Sequence, residues 1–191
     1  TATARGKLLF RLADLIAAHA DRLAALETRD NGKLIAEMGA QLRYIPEWFR
    51  YFGGLADKIE GAHLPIDKPG MFAFTRREPL GVVAAIVPWN SPLMLLTWKL
   101  APLLAAGNTV VIKPSPFTPL STIRLVEVMN EVLPAGVVNV VTSDDQLNNI
   151  GGAMSAHSGI RKMVFTGSIA TGKKVMTSAA ETMKRLTLEL G

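Results

Sequence analysis

From Gly81 onward, short runs of apolar and β-branched residues alternate with longer segments of helical spacing. The predicted strands are 82–87, 109–112, 137–141, 162–165 and 186–190, and the predicted helices are 93–106, 120–133, 147–156 and 171–182. This alternation is typical of βαβ units and predicts an α/β fold, a parallel sheet with flanking helices. Ligands of such sheets bind at the carboxyl ends of the strands, so we expect functional residues directly after each predicted strand.

The residues before Gly61 predict a helical region. Apolar spacing between Lys7 and Leu26 indicates one or two amphipathic helices, with Asp21 as a candidate N-cap, and the turn at 30–32 ends this segment. A second helical stretch covers 35–59. It carries aromatic residues that we expect to pack in the core: Tyr44, Trp48, Phe49, Tyr51 and Phe52.

A passage punctuated by proline and glycine joins the helical region to the sheet. Within it, 63–66 and 71–74 have the pattern of short strands. We therefore expect two parts: N-terminal helices over 1–60 that pack on the rest of the chain, and a region over 61–191 that begins with a short β segment and contains the parallel sheet.

The amino-acid composition limits the classes of protein to which this chain can belong. Of the 191 residues, 49% are apolar and 19% are charged, which is typical of a globular chain. There is no cysteine, so these residues contain no disulfide, no thiolate metal site and no thiol nucleophile. The net charge of +5 comes from basic residues spread along the chain, and only 6% of residues are aromatic, so we expect no nucleic-acid partner.

The sequence also gives no indication of a membrane or metal partner. The most apolar stretch, 93–107, is interrupted by Lys99 and is shorter than the roughly 20 residues of a membrane helix. No signal or transit peptide is visible, so we expect a cytoplasmic protein. His19, His63 and His157 have no second ligand at metal-binding spacing, so we expect them to be structural and predict no metal site.

Unusual polar residues follow the first two predicted strands. Asn90 lies between two prolines directly before a helix, where it either caps that helix or aims its NH₂ group at a developing oxyanion. Lys113 ends the second strand, where it either pairs with ribose hydroxyls or a phosphate or is a solvated cation. Lys99 is the only charge in an apolar helix, and it either extends to the surface or is desolvated for proton movement.

The fourth strand runs into a glycine turn that opens a helix. The backbone amides of such a turn, at 165–174, favour an anion such as phosphate. The segment also reads G-x-x-x-x-G-K, but Lys174 occupies the Ser/Thr position of a P-loop, and no clear Walker-B aspartate follows. A G-x-G-x-x-G fingerprint is absent. In the fifth strand, Glu189 is either an acid at the sheet edge or, if it faces the crevice, a general base whose pKa desolvation raises.

Together these segments resemble the aldehyde dehydrogenase superfamily. Two N-terminal segments, ETRDNGK (27–33) and ADKIEG (56–61), look like the first helices of that family. The motifs PWN (88–90), WKLAP (98–102), GN (107–108), KPS (113–115), LPAGVVN (133–139), FTGS (165–168) and LELG (188–191) then follow in the family's order. The resemblance implies a variant Rossmann-like NAD(P)-binding fold, in which the pyrophosphate meets the glycine turn of the fourth strand.

The resemblance also implies a reaction: an aldehyde is oxidised to a carboxylic acid with NAD⁺ or NADP⁺ as cofactor. A cysteine thiolate attacks the aldehyde, and water later releases the acyl group from a thioester. Asn90 matches the oxyanion donor, Glu189 the base that activates either the water or the thiol, and Lys99 a lysine that moves protons from that base. The predicted cofactor-binding set is Trp89, Lys113, Ser115, Gly167, Ser168 and Leu190.

The chain departs from the family pattern in three places. The family's cysteine lies on a later segment, so we expect these residues to be the cofactor-binding portion of a longer enzyme, inactive alone and a homo-oligomer when complete. Pro116 stands where NAD-preferring members often have a glutamate, which leaves both NAD and NADP open. The residues 142–148 replace a glycine-rich loop, which puts nucleotide contacts there in doubt.

Two other functions remain open from the sequence. One is a non-catalytic dinucleotide-binding or scaffolding chain, which would bind NAD(P)⁺ without reducing it. The other is a degenerate P-loop protein, which would bind ATP or GTP together with Mg²⁺.

Overall fold

The computed structural model of the chain describes residues 1–144 and 147–191. Its elements, in chain order, are α1 (Ala2–Asn31), α2 (Ile35–Leu55), β1 (His63–Leu64), β2 (Ala73–Phe74), β3 (Val82–Ile86), α3 (Pro92–Ala105), β4 (Thr109–Lys113), α4 (Leu120–Asn130), β5 (Val138–Val140), α5 (Ile150–Ala156), β6 (Ile160–Gly167), α6 (Ile169–Ala180) and β7 (Arg185–Leu190). The predicted α/β fold is confirmed, and every predicted element is present with its ends moved by a few residues.

Strands β3 to β7 form a parallel sheet in the order β5-β4-β3-β6-β7. The chain first builds β4 and β5 on one side of β3 and then returns to build β6 and β7 on the other side. The strand order therefore reverses at β3, and the crevice outside the carboxyl ends of β3 and its neighbours is the place where such sheets bind ligands.

Helix α1 is a single helix of 30 residues. The prediction that Asp21 caps a second helix is wrong: Asp21 lies inside α1, where its carboxylate is 3.5 Å from the Arg43 guanidinium. The helix continues because no proline or glycine interrupts it between 7 and 31. It ends where predicted, since Gly32 adopts a left-handed conformation with φ of 76° and donates its amide to the Thr28 carbonyl.

Helix α2 ends at Leu55, four residues before the predicted end at 59. Its aromatic residues divide between core and surface. Phe49 is fully buried, and Trp48 and Phe52 are half-buried and stacked with ring centroids 6.3 Å apart. Tyr44 and Tyr51 are 55% and 63% exposed, so the prediction that they pack in the core is wrong. Helical periodicity places both tyrosines on the side of α2 that faces away from α1.

Both faces of the sheet are covered by helices. The larger apolar core packs α1, α2, α3 and α4 over one face, around residues such as Leu12, Phe49, Leu96 and Ile112. On the other face, Ala84, Met163 and Phe165 pack with residues of α5 and α6. This three-layer packing holds the strand ends in fixed positions. Across the described ranges, no helix has the combination of length and apolar character that crossing a bilayer requires.

Candidate functional site

A cleft of about 1610 Å³ lies at the carboxyl ends of β3, β4 and β6, where the strand order reverses. Five residues predicted from the sequence line it: Trp89, Lys113, Ser115, Gly167 and Ser168. Residues of α5 and α6, among them Gly151, Thr171 and Lys174, form the other wall. The cleft therefore joins segments that are far apart in the sequence, as the strand pattern predicts.

Lys113 is the last residue of β4, and only 3% of it is exposed. Its Nζ is 3.4 Å from the Pro114 carbonyl oxygen. The alternative of a solvated cation at a strand end is therefore wrong. Lys113 is buried but lines the cleft, so its positive charge lies within reach of oxygen atoms of a ligand bound there.

The turn between β6 and α6 is a single residue, Ser168. Its hydroxyl accepts a hydrogen bond from the Thr171 amide at 3.2 Å and so caps α6. A Cβ on Gly167 would stand 2.6 Å from the Phe165 ring, so any larger residue here would displace that buried ring. The 12-residue helix α6 directs the positive end of its dipole at the cleft.

This geometry excludes the P-loop alternative. A P-loop needs its G-x-x-x-x-G-K residues in a loop that wraps around phosphates. Here Gly172 and Lys173 lie inside α6, and the residues before them are already helical. A Cβ on Gly172 would stand 2.7 Å from the Leu190 side chain, so Leu190 packs directly against the helix at that glycine.

Asn90 is exposed and lies just before α3. The capping alternative is wrong, because Ser91 occupies the N-cap position of α3. The Asn90 backbone carbonyl accepts a hydrogen bond from Asn31 Nδ2 at 3.4 Å. The Asn90 side chain has no hydrogen-bond partner among the described residues. The carboxamide is therefore free to donate to a ligand.

Lys99 and Glu189 form an ion pair, with Nζ 2.8 Å from Oε2. The side chain of Lys99 is only 4% exposed, so Lys99 is desolvated and does not extend to the surface. Glu189 is 45% exposed and also accepts a hydrogen bond from Thr166 Oγ1 at 2.6 Å.

The environment of Glu189 lowers its pKa. Burial acts to raise the pKa, but the hydrogen bonds from Lys99 and Thr166, with the charge of Lys99, outweigh it and hold the pKa below the ordinary value of 4.5. The prediction that desolvation raises the Glu189 pKa is therefore wrong, because the carboxylate has a cationic partner in Lys99.

Sequence reasoning missed Thr166. This residue pairs with Glu189 across the register of β6 and β7, lines the cleft, and donates its hydroxyl to the Glu189 carboxylate. It is the contact between the cleft and the Lys99–Glu189 pair. In the sequence, Thr166 is marked only by its position one residue before Gly167, and that position does not identify Glu189 as its partner.

The remaining predicted residues are placed as follows. Ser115 accepts a hydrogen bond from the Phe117 amide at 3.3 Å and so shapes its own turn at the cleft. Leu190 packs on α6 and is absent from the cleft wall. Of the loop 142–148, Ser143 and Asp144 line the cleft, whereas Asp145 and Gln146 lie outside the described residues. In residues 1–144 and 147–191, no three His, Cys, Asp or Glu side chains are grouped so as to hold a metal ion.

We expect the Lys99→Met substitution to raise the pKa of Glu189. The substitution removes the ammonium that holds the carboxylate charged, and it leaves burial opposed only by the Thr166 hydrogen bond. An NMR titration of the Glu189 carboxyl carbon measures the shift. Lys173→Met is the control, because it removes an equal charge from the exposed side of α6. An unchanged Glu189 titration in Lys99→Met would contradict the pairing.

Comparison with known proteins agrees with this geometry. The profile of the Aldehyde dehydrogenase family matches residues 1–191. A curated relative, (Z)-2-((N-methylformamido)methylene)-5-hydroxybutyrolactone dehydrogenase from Acinetobacter baylyi, is 50% identical over 192 aligned residues, which cover 100% of this chain and 39% of the relative. The chain thus spans about two fifths of the length of that relative.

Two solved structures have the same fold. Betaine aldehyde dehydrogenase from Staphylococcus aureus, in complex with NAD⁺, is 43% identical with a TM-score of 0.95, over 100% of this chain and 38% of that one. PnpE from Pseudomonas sp. WBC-3 is 48% identical with a TM-score of 0.94, over 100% of this chain and 39% of that one. The family profile matches the whole length of this chain, and the chain belongs to the aldehyde dehydrogenase family.

Proposed function

We propose that these residues are the cofactor-binding part of an NAD(P)-dependent aldehyde dehydrogenase, an enzyme that oxidises an aldehyde to a carboxylic acid. One observation carries the proposal: the ligand cleft and the Lys99–Glu189 pair meet at Thr166, so a dinucleotide site and a proton-accepting group share one sheet edge. The NAD⁺ complex of the Staphylococcus aureus relative supports the choice of cofactor. We assign residues 1–60 to supporting helices and 61–191 to the cofactor region.

The residues of the cleft fit a nicotinamide dinucleotide. The volume of about 1610 Å³ is ample for such a ligand. The Lys113 ammonium suits ribose hydroxyls, and the turn at Gly167 and Ser168 with the α6 N-terminus suits a pyrophosphate. Trp89, 54% exposed on the cleft wall, and Ser115 complete the set. A nicotinamide dinucleotide held by these residues would supply the hydride acceptor for oxidation of the aldehyde.

The side chains outside the cleft have three proposed roles. Asn90 donates its NH₂ to the aldehyde oxygen, which becomes negative in the tetrahedral state. Glu189 accepts a proton during hydrolysis of the acyl group or from the thiol, and Lys99 relays that proton away. Because the chain contains no cysteine, the thiol nucleophile of this reaction comes from residues other than these. The substrate is an aldehyde.

Fluorescence titration of the chain with NAD⁺, NADP⁺ and Mg·ATP tests the cofactor proposal. We expect NAD⁺ or NADP⁺ to change the emission of Trp89, which lines the cleft, and Mg·ATP to leave it unchanged. Pro116 presents no carboxylate that would repel a 2′-phosphate, so both cofactors are included. Aldehyde-dependent NAD(P)⁺ reduction by the complete protein then separates a dehydrogenase from a non-catalytic dinucleotide-binding chain.

We expect Lys113→Met to weaken NAD(P)⁺ binding by about 10-fold or more, because a hydrogen bond from a charged donor contributes roughly 1.5–3 kcal/mol. The same fluorescence titration measures the change in Kd. Lys162→Met is the matched control. Lys162 lies near the start of β6, at the end of the strands opposite the cleft, and its loss should leave Kd unchanged. Equal affinities for Lys113→Met and the unsubstituted chain would contradict the assignment.

The complete enzyme is further proposed to act in the cytoplasm as a homo-oligomer, a dimer or a tetramer, with no nucleic-acid or membrane partner. Tyr44, Tyr51 and Trp98 are 55%, 63% and 43% exposed and form an aromatic surface on α2 and α3 that a second subunit or the rest of the enzyme would cover. Sedimentation equilibrium of the complete protein gives the number of subunits.

A further inference from the structure

The end of helix α1 and the turn that follows it contact the segment that carries Asn90. Three hydrogen bonds join them: Glu27 Oε1 accepts from the Leu93 amide at 3.3 Å, Asn31 Nδ2 donates to the Asn90 carbonyl at 3.4 Å, and Lys33 Nζ donates to Ser91 Oγ at 3.4 Å. We call Glu27, Asn31 and Lys33 the turn clamp. Its members contact three of the four residues from 90 to 93, whereas none of them lines the cofactor cleft.

Helix α3 depends on the clamp for its N-terminal cap. Ser91 occupies the N-cap position but makes no side-chain capping bond, and Pro92 has no N–H. Leu93 therefore carries the first free amide of the helix, and Glu27 accepts its hydrogen bond from another helix. The cap fixes the first turn of α3, and Asn90 lies directly before that turn.

Glu27 is an unusual residue for a purely structural cap. It is completely buried, and in the described part of the chain its Oε2 accepts no hydrogen bond. Burial raises the pKa of the Glu27 carboxyl to about 7, against the lowering effects of the Leu93 hydrogen bond and the Lys33 charge. Burying an acid with one oxygen unsatisfied costs stability, and an apolar residue of similar volume would avoid that cost.

We propose that Glu27 is a positioning residue for the dehydrogenase reaction: by capping α3 it holds the Asn90 carboxamide in the orientation that meets the aldehyde oxygen. This inference rests on the proposed function. An oxyanion donor works only if it is fixed before the charge develops, and a displacement of about 1 Å can cost about 10²-fold in rate. Loss of the cap should therefore lower kcat and leave cofactor affinity unchanged.

The test compares Glu27→Gln and Glu27→Met in the complete enzyme. Gln keeps an oxygen acceptor for the Leu93 amide, so we expect kcat within about 3-fold of the unsubstituted enzyme. Met has similar volume and no acceptor, so the core stays filled while we expect kcat to fall about 10-fold or more. NAD(P)⁺ affinity should not change in either variant. Thermal unfolding confirms that both variants fold, and Asn31→Ala, which removes the bond to the Asn90 carbonyl, is a second route to the same effect.

A double-mutant cycle with Asn90→Ala separates positioning from general stability. If Glu27 acts through Asn90, Glu27→Met causes no further loss of kcat in the Asn90→Ala enzyme. An equal fold-loss in both backgrounds, or an unchanged kcat in Glu27→Met whatever the result for Asn31→Ala, overturns the inference alone. An unsubstituted enzyme that reduces neither NAD⁺ nor NADP⁺ with any aldehyde overturns the proposed function, and the inference with it.

Discussion

Replacement of Asn90 by alanine in the complete enzyme is expected to lower kcat by about 10²–10³-fold, the usual cost of losing one oxyanion donor. The Asn90 carboxamide is exposed and makes no hydrogen bond of its own within the described residues, so its removal breaks no contact that supports the fold. The proposed loss is confined to the transition state, in which the aldehyde oxygen is negative. Steady-state kinetics should therefore give a lower kcat and an unchanged Kd for NAD(P)⁺.

Asn130→Ala is the matched control. Asn130 is also exposed, and it ends α4, which returns the chain to the edge of the sheet where the strands begin. Its loss should leave kcat unchanged. If Asn90→Ala kept full activity, or lost activity only through weaker cofactor binding, then the assignment of Asn90 as oxyanion donor would be wrong.

The sheet can be predicted from the sequence because its strands are buried on both faces. The runs 82–86 and 110–112 are wholly apolar, and a parallel sheet covered by helices hides both sides of such strands. The element ends are less predictable because they depend on single capping contacts. Helix α5 begins at Ile150 because the Asn149 side chain caps it, and α6 begins at Ile169 because Ser168 does.

The cleft follows from the same reasoning, since a parallel sheet brings the ends of its strands to one edge. The contact between Lys99 and Glu189 could not be predicted from the sequence. The two residues are 90 positions apart, and their contact depends on how α3 crosses the sheet. The charge of a neighbour decides the direction of the Glu189 pKa, and a sequence pattern does not reveal that neighbour. The contacts of the turn clamp could not be predicted for the same reason, since Glu27 and Leu93 are 66 positions apart.

Lys99 and Glu189, to which we assign proposed roles in proton transfer, also differ in exposure, and this difference bears on the proposed mechanism. Lys99 is shielded from water, whereas the Glu189 carboxylate is half-exposed and bonded to Lys99 and Thr166 through the same oxygen, Oε2. The other oxygen, Oε1, is the one left for a water molecule. A base arranged in this way is suited to hydrolysis of an acyl group.

Glu189→Gln should accordingly lower steady-state kcat by about 10²–10⁴-fold, the usual contribution of a general base. The first turnover should survive at pH 8.5, because a thiol with a pKa near 8.5 is about half ionised there without a base, whereas water is not. Stopped-flow absorbance should therefore record a burst of about one NAD(P)H per active site, followed by a steady state that is almost flat.

Glu181→Gln is the control for this prediction, since it makes the same chemical change at an exposed position after α6. It should retain both the burst and the steady-state rate. Loss of the burst together with the steady state in Glu189→Gln would assign the base to the thiol instead of the water. Retention of full steady-state activity would remove Glu189 from the reaction, and the Lys99–Glu189 pair would then be a structural contact between α3 and β7.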